Sequence, residues 1–129
     1  MPAMIDRLLI LVSAAIFAGF GGWIFVAPEA LEMIGINLTS GEARADVRAT
    51  YGGLQWGIAA FLLVVQSRPD WYRAGLLMAL CGAAGLAGGR LVGMVVDGGT
   101  TPLMQVFFAV EAFGVVVLAW ALKRNHAAA

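Results

Sequence analysis

Four long apolar runs organise the chain. LLILVSAAIFAGFGGWIFV at about 8–26 and ATYGGLQWGIAAFLLVVQS at about 49–67 carry no charge. A third run at about 74–96 is interrupted by Arg90, and a fourth at about 102–122 by Glu111. Roughly 20 apolar residues in a helix cross about 30 Å of hydrocarbon. None of the runs alternates as a barrel strand does, and backbone inside lipid must satisfy its own hydrogen bonds. The pattern predicts an all-α integral membrane four-helix bundle formed by a single transmembrane domain, residues 1–129.

The connections fit this reading. RPDWYR at 68–73 and DGGTTP at 97–102 are short turns, so the helices they join run antiparallel. The first connection is longer. PEALEMIGI at 28–36 predicts a short amphipathic helix, started by Pro28 and ended at Gly35, with Leu31, Ile34 and Ile36 free to rest on the membrane surface. Thr39-Ser-Gly-Glu42 has capping-box spacing, so the second helix is expected to start near residue 40, outside the hydrocarbon.

Composition strengthens the membrane assignment. Hydrophobic residues make up 61% of the 129 residues and charged ones 12%, against about 45–50% and about 25% in soluble domains. The formal net charge of zero offers no basic field for nucleic acid. Cys81 is the single cysteine, which excludes an intramolecular disulfide, a CxxC pair or a cysteine zinc site. The first run is longer than a signal-peptide core and lacks a small-x-small cleavage pattern after it, so it reads as a retained span. Arg7, Arg68, Arg73, Lys123 and Arg124 lie on one side of the implied membrane, and only Arg44 and Arg48 on the other. The positive-inside rule then puts both termini in the cytoplasm and the short helix in an external loop. Trp71, Tyr72 and Trp120 fall at the inner boundary, Trp23 and Tyr51 near the outer one.

Topology converts position into depth. With a rise of 1.5 Å per residue, Arg90 lies about 9 Å below the outer end of its helix, Glu111 about 13 Å and Gln55 about 9 Å. Arg90 and Asp97 share a stripe at seven-residue spacing, as do Arg48 and Gln55, with Tyr51 between them. The expectation is a two-tier polar cluster, with Arg48, Tyr51 and Asp97 at the rim and Gln55, Arg90 and Glu111 below. An unpaired charge at mid-bilayer costs at least about 2.5–3.5 kcal/mol, which favours turning Arg90 toward Glu111. Small residues are expected to bring helices close. Gly85, Gly89 and Gly93 form one ridge, Ala14, Ala18 and Gly22 another, and Gly53 and Gly57 a third.

RATYGGLQWGIAAFLL at 48–63, GRLVGMVVDG at 89–98, VAPEALEMIGI at 26–36 and the glutamate of the last run are similar to the DUF4345 family. These are small bacterial four-helix membrane proteins grouped with the DoxX-like proteins, and the likeness covers nearly the whole chain. The resemblance implies a bundle in a bacterial inner membrane and supplies no activity. Some DoxX-like relatives are linked to quinone or thiol redox chemistry, but the paired cysteines such chemistry would suggest are missing here.

No catalytic triad, P-loop or dinucleotide fingerprint occurs, so no catalytic residue and no cofactor are assigned. His126 is expected to be solvated in the tail, and one histidine without a carboxylate cluster argues against a metal site. Phe107 and Phe108, one turn from Glu111 on its side of the helix, are expected with Phe113 to be bundle or lipid surface, the alternative for the first two being the lining of an apolar pocket. The leading reading is a non-enzymatic membrane protein whose polar cluster binds a lipid or small amphiphile. The alternatives are a structural accessory subunit of a membrane complex, with the glycine ridges facing that partner or a second copy of the chain, and a small proton-coupled transporter. The multidrug carriers of this size hold their membrane glutamate on the first helix, where this chain has no acidic residue inside the span.

Overall fold

A computed structural model describes residues 2–126, with the side chains of Pro2, Asn125 and His126 outside the described part; the expectation for His126 therefore lies outside it as well. In chain order the elements are α1 (Pro2–Val26), a 3-10 helix (Pro28–Ile34), α2 (Gly41–Val47), a π-helical segment (Arg48–Gly53) and α3 (Leu54–Val65). A 3-10 turn (Pro69–Trp71), α4 (Tyr72–Val96) and α5 (Pro102–His126) follow. There is no strand among the described residues. The chain divides into two compact units, Ile10–Arg68 and the pairing of Met1–Leu9 with Pro69–Ala129.

Among the described residues, three helical stretches are long and apolar enough to cross a membrane: Ala3–Val26, Pro69–Val96 and Pro102–Arg124. The run at 49–67 differs from expectation in being interrupted. Helix is continuous from Gly41 to Val65, but a π segment separates α2 from α3. By itself α3 has 12 residues, a rise of about 18 Å. Three features favour the interruption. The Thr50 hydroxyl donates to the Asp46 carbonyl inside the helix, which competes with regular backbone bonding. Gly52 and Gly53 put no side chain into the wound segment. Gly52 is also pressed against Phe25, where an added Cβ would come within 2.9 Å of the Phe25 Cβ.

Within the Ile10–Arg68 unit, the 3-10 helix begins at Pro28 and ends at Gly35, whose φ of 85° a side chain would strain. Leu31, Ile34 and Ile36 turn inward, contrary to the surface role the pattern suggested. Leu31 joins Ile24, Leu38 and Val47 in a buried cluster, and Phe20, Ala30, Ile34, Ile36 and Ala43 pack on it. Burial in the unit's own core removes this area from water without needing a membrane. The cap of α2 is also displaced by one residue. Ser40, not Thr39, has the extended backbone of a cap, and its hydroxyl accepts from the Ala43 amide at 3.1 Å. The Glu42 carboxyl is held below the usual range by its own backbone amide and then by the Ser40 hydroxyl.

In the other unit α4 packs on α5 as an antiparallel hairpin. Gly98, at φ 71°, follows the end of α4 and reverses the chain. Pro102 opens α5, and the Met104 amide donates to the Thr101 hydroxyl at 3.4 Å.

Candidate functional site

The α4–α5 hairpin brings Arg90 and Glu111 together from positions 21 residues apart. The Arg90 Nε donates to both carboxylate oxygens of Glu111, each at 2.9 Å. The Arg90 Nη1 points at the Met104 sulfur, 3.6 Å away, and the guanidinium lies over the Phe107 ring, 4.9 Å from its centroid. These three partners occupy successive turns of α5, so one stripe of that helix cradles the guanidinium. Thioether sulfur accepts hydrogen bonds only weakly, whereas an aromatic face adds cation–π attraction. The two side chains are 24% and 16% exposed, so the pair is largely screened and still reachable from outside the hairpin.

Glu111 therefore occupies one N–H of the five that guanidinium carries. The Nη2 nitrogen has no hydrogen-bond partner among the described residues. Because the carboxylate sits on Nε, the outer edge formed by the two terminal nitrogens carries only the weak contact of Nη1 with the Met104 sulfur. That edge fits a planar oxyanion by paired N–H donation.

Asp97, the third residue of the expected cluster that lies in this hairpin, ends α4 and is exposed. Met104 is a member of this site that was not among the expected residues. Its signal was present, since Met104 lies seven residues before Glu111 on the same helical stripe. A second ion pair was also not among the expected features. Arg124, near the end of α5, donates from Nη2 to Asp6 near the start of α1, and its guanidinium lies over Trp120 at 4.8 Å. Asp6 is 4% exposed.

Arg48, Tyr51 and Gln55 belong to the Ile10–Arg68 unit. The Arg48 Nε donates to the Phe25 carbonyl at 3.0 Å, satisfying an acceptor at the end of α1. Tyr51 is 38% exposed. Gln55 sits against α1, its Cβ 2.7 Å from where a Cβ on Gly21 would be. Trp56 donates from its indole N–H to the Ala18 carbonyl at 3.2 Å and stacks on Phe25 with centroids 4.9 Å apart.

Close helix approach in this unit runs through Gly21 and Gly52. A Cβ on Gly21 would also meet the Gly52 carbonyl at 2.9 Å. The glycines expected to pack have different surroundings. A Cβ added at Gly57, Gly85 or Gly89 would meet nothing within 4 Å among the described residues, one at Gly53 would lie 3.7 Å from the Arg48 carbonyl, and one at Gly93 would lie 3.8 Å from the Asp97 carboxylate. No group of His, Cys, Asp and Glu among the described residues could hold a metal ion.

A family model described as a domain of unknown function, DUF4345, matches residues 5–122. The chain belongs to the DUF4345 family. No curated protein and no solved structure matches it. Apolar helices and family membership both fit a membrane protein, and the match spans both units, from Asp6 to the Arg90–Glu111 pair.

Proposed function

We propose that this DUF4345 member is a multi-pass protein of a bacterial cytoplasmic membrane, without enzymatic activity, that binds a lipid or small amphiphile at Arg90 and Glu111. The helix from Gly41 to Val65 would supply a fourth span, with both termini in the cytoplasm and the 3-10 helix outside. The bacterial setting and the kinship with DoxX-like proteins rest on the sequence resemblance. One observation carries the binding reading: an arginine inside an apolar hairpin has its carboxylate on Nε and leaves Nη2 unpartnered. A pair serving only to fix helix register gains most from the two-bond fork of guanidinium on carboxylate, which satisfies more donors in a medium without water.

The test is to purify the protein in lipid nanodiscs and identify retained amphiphiles by native mass spectrometry. Wild type is expected to hold one that the Arg90→Gln/Glu111→Gln double variant loses. Equal retention by both proteins ends this reading. A second reading, an accessory subunit of a larger membrane complex, is favoured by the open positions at Gly85 and Gly89. It expects a partner that co-purifies in mild detergent and is lost on Gly85→Leu or Gly89→Leu.

A further inference from the structure

Resting on the binding site proposed above, the geometry points to the chemical class of its occupant. We infer that it is a long-chain carboxylic acid, which enters neutral, gives its proton to Glu111 and is held as a carboxylate by Arg90. The exchange balances: R–COOH and the Glu111 carboxylate become R–COO⁻ and the Glu111 carboxylic acid, with Arg90 positive throughout. One O–H bond breaks on the ligand and one forms on Glu111.

The resting pair, Arg90 with Glu111 at 2.9 Å, is formally neutral. Adding an anion would leave a net negative charge in the hydrocarbon, which is costly there. Proton transfer to Glu111 removes that charge, and the site is neutral before and after. A phospholipid phosphodiester cannot take part, because it has no proton to give at neutral pH and its head group lies above the hydrocarbon. A carboxylic acid has an ordinary pKa near 4–4.5 in water, and a low-dielectric environment raises it, so the neutral form can reach a site about 9 Å deep.

The site has the matching parts. The terminal nitrogens of Arg90 present a two-donor edge of carboxylate width, with Nη2 unpartnered among the described residues. Glu111 is bound through a single N–H, so on protonation it gives up one bifurcated contact rather than a full fork. Among the described residues of this unit, Arg90 is the charged group facing Glu111; Met104 and Phe107 beside it are neutral. Asp97 lies at the end of α4, and Asp6 is engaged with Arg124. The exposed Leu91 on α4 and Val110 on α5, next in sequence to Arg90 and Glu111, give an alkyl chain apolar surface on both helices.

The experiment uses the full chain in phosphatidylcholine nanodiscs with carboxyl-labelled oleate, followed by carbon NMR, and oleyl alcohol as the uncharged competitor. Bound oleate is expected at the ionised chemical shift at a pH where oleate in empty nanodiscs is still protonated. Infrared difference spectra are expected to show a new protonated carboxyl band that is absent in Glu111→Gln. Where free oleate is ionised, binding takes up one proton, so wild-type affinity falls about tenfold per pH unit. Glu111→Gln is expected to bind without that slope, and Arg90→Lys, which keeps the charge without the fork, about tenfold more weakly than wild type.

If bound oleate stays protonated, or oleyl alcohol displaces it equally, the acid inference is overturned while an amphiphile site at Arg90 stands. If neither probe binds at the pair, both readings fall. The NMR and infrared measurements on wild type decide the matter even where a variant folds poorly.

Discussion

Two polar sites, one in each compact unit, are built in opposite ways. In Ile10–Arg68, Arg48 and Trp56 both donate to backbone carbonyls of α1, at 3.0 and 3.2 Å. Those bonds lock helices together where Gly21 and Gly52 remove side-chain bulk. In the α4–α5 hairpin the charge of Arg90 meets another side chain, that of Glu111, with part of the guanidinium left over. Glycines there, at 85 and 89, face open space among the described residues. Donors used up on carbonyls build a scaffold. Donors left available beside a titratable group are what a binding site needs.

The sharpest break of this contrast is Glu111→Ala. It leaves Arg90 uncompensated in the hairpin, and an uncompensated intramembrane charge costs about 2.5–3.5 kcal/mol. Unfolding in mixed detergent micelles should show a loss of that order, and Arg90→Gln/Glu111→Gln should recover most of it. If the double variant is as unstable as Glu111→Ala, the charge account of the pair is wrong.

Next comes overpacking of the other unit. Gly21→Val puts a branched side chain where a Cβ alone already meets backbone oxygen at 2.9 Å, so a loss of about 1–3 kcal/mol is expected. Gly57→Ala, with nothing within 4 Å among the described residues, should be near neutral in the same assay. Equal effects at the two glycines would erase the distinction between packed and open positions.

Smaller effects test single hydrogen bonds of the scaffold. Trp56→Phe keeps the ring on Phe25 but removes the donor to Ala18, and about 0.5–1.5 kcal/mol should be lost. Ser40→Ala should cost about 1 kcal/mol through the cap of α2, whereas Thr39→Ala should cost little. The reverse order would restore the capping box read from the sequence.

The smallest effect is acid sensitivity of the first connection. The Glu29 carboxyl is lowered below 4.5 by its own backbone amide and then by Arg44, whose Nε donates to it at 3.0 Å. A depressed carboxyl stabilises above its unfolded pKa, and that contribution disappears as pH falls through the lower folded value. Acidification from about pH 5 should therefore loosen this segment, read by amide exchange near Glu29 and Arg44. Glu29→Gln should remove the acid step in that region.

What could be read in the sequence follows from which signals are local. Helix positions, the 3-10 segment between Pro28 and Gly35, and the short α4–α5 turn follow from periodicity, proline and glycine, which act within a few residues. The Arg90–Glu111 pair was legible as well, because a short turn fixes the register of a hairpin and depth then follows by counting. The π segment was not. Thr50 and the Gly52–Gly53 pair are local, but they act together with Phe25, more than twenty residues earlier, pressing on Gly52, and no local pattern records that contact.

The sequence by itself therefore determined an apolar helical protein, the limits of its runs and an arginine obliged to find a carboxylate. Only tertiary structure decided which glycines are pressed, that Leu31, Ile34 and Ile36 face a core, and that Asp6 meets Arg124 from 118 residues away. It also decided how Glu111 holds Arg90, by Nε rather than by the fork. The physical reason is range. Propensity and hydropathy are summed along a few neighbouring residues, whereas steric fit and hydrogen-bond geometry depend on the facing surface, which a distant part of the chain provides.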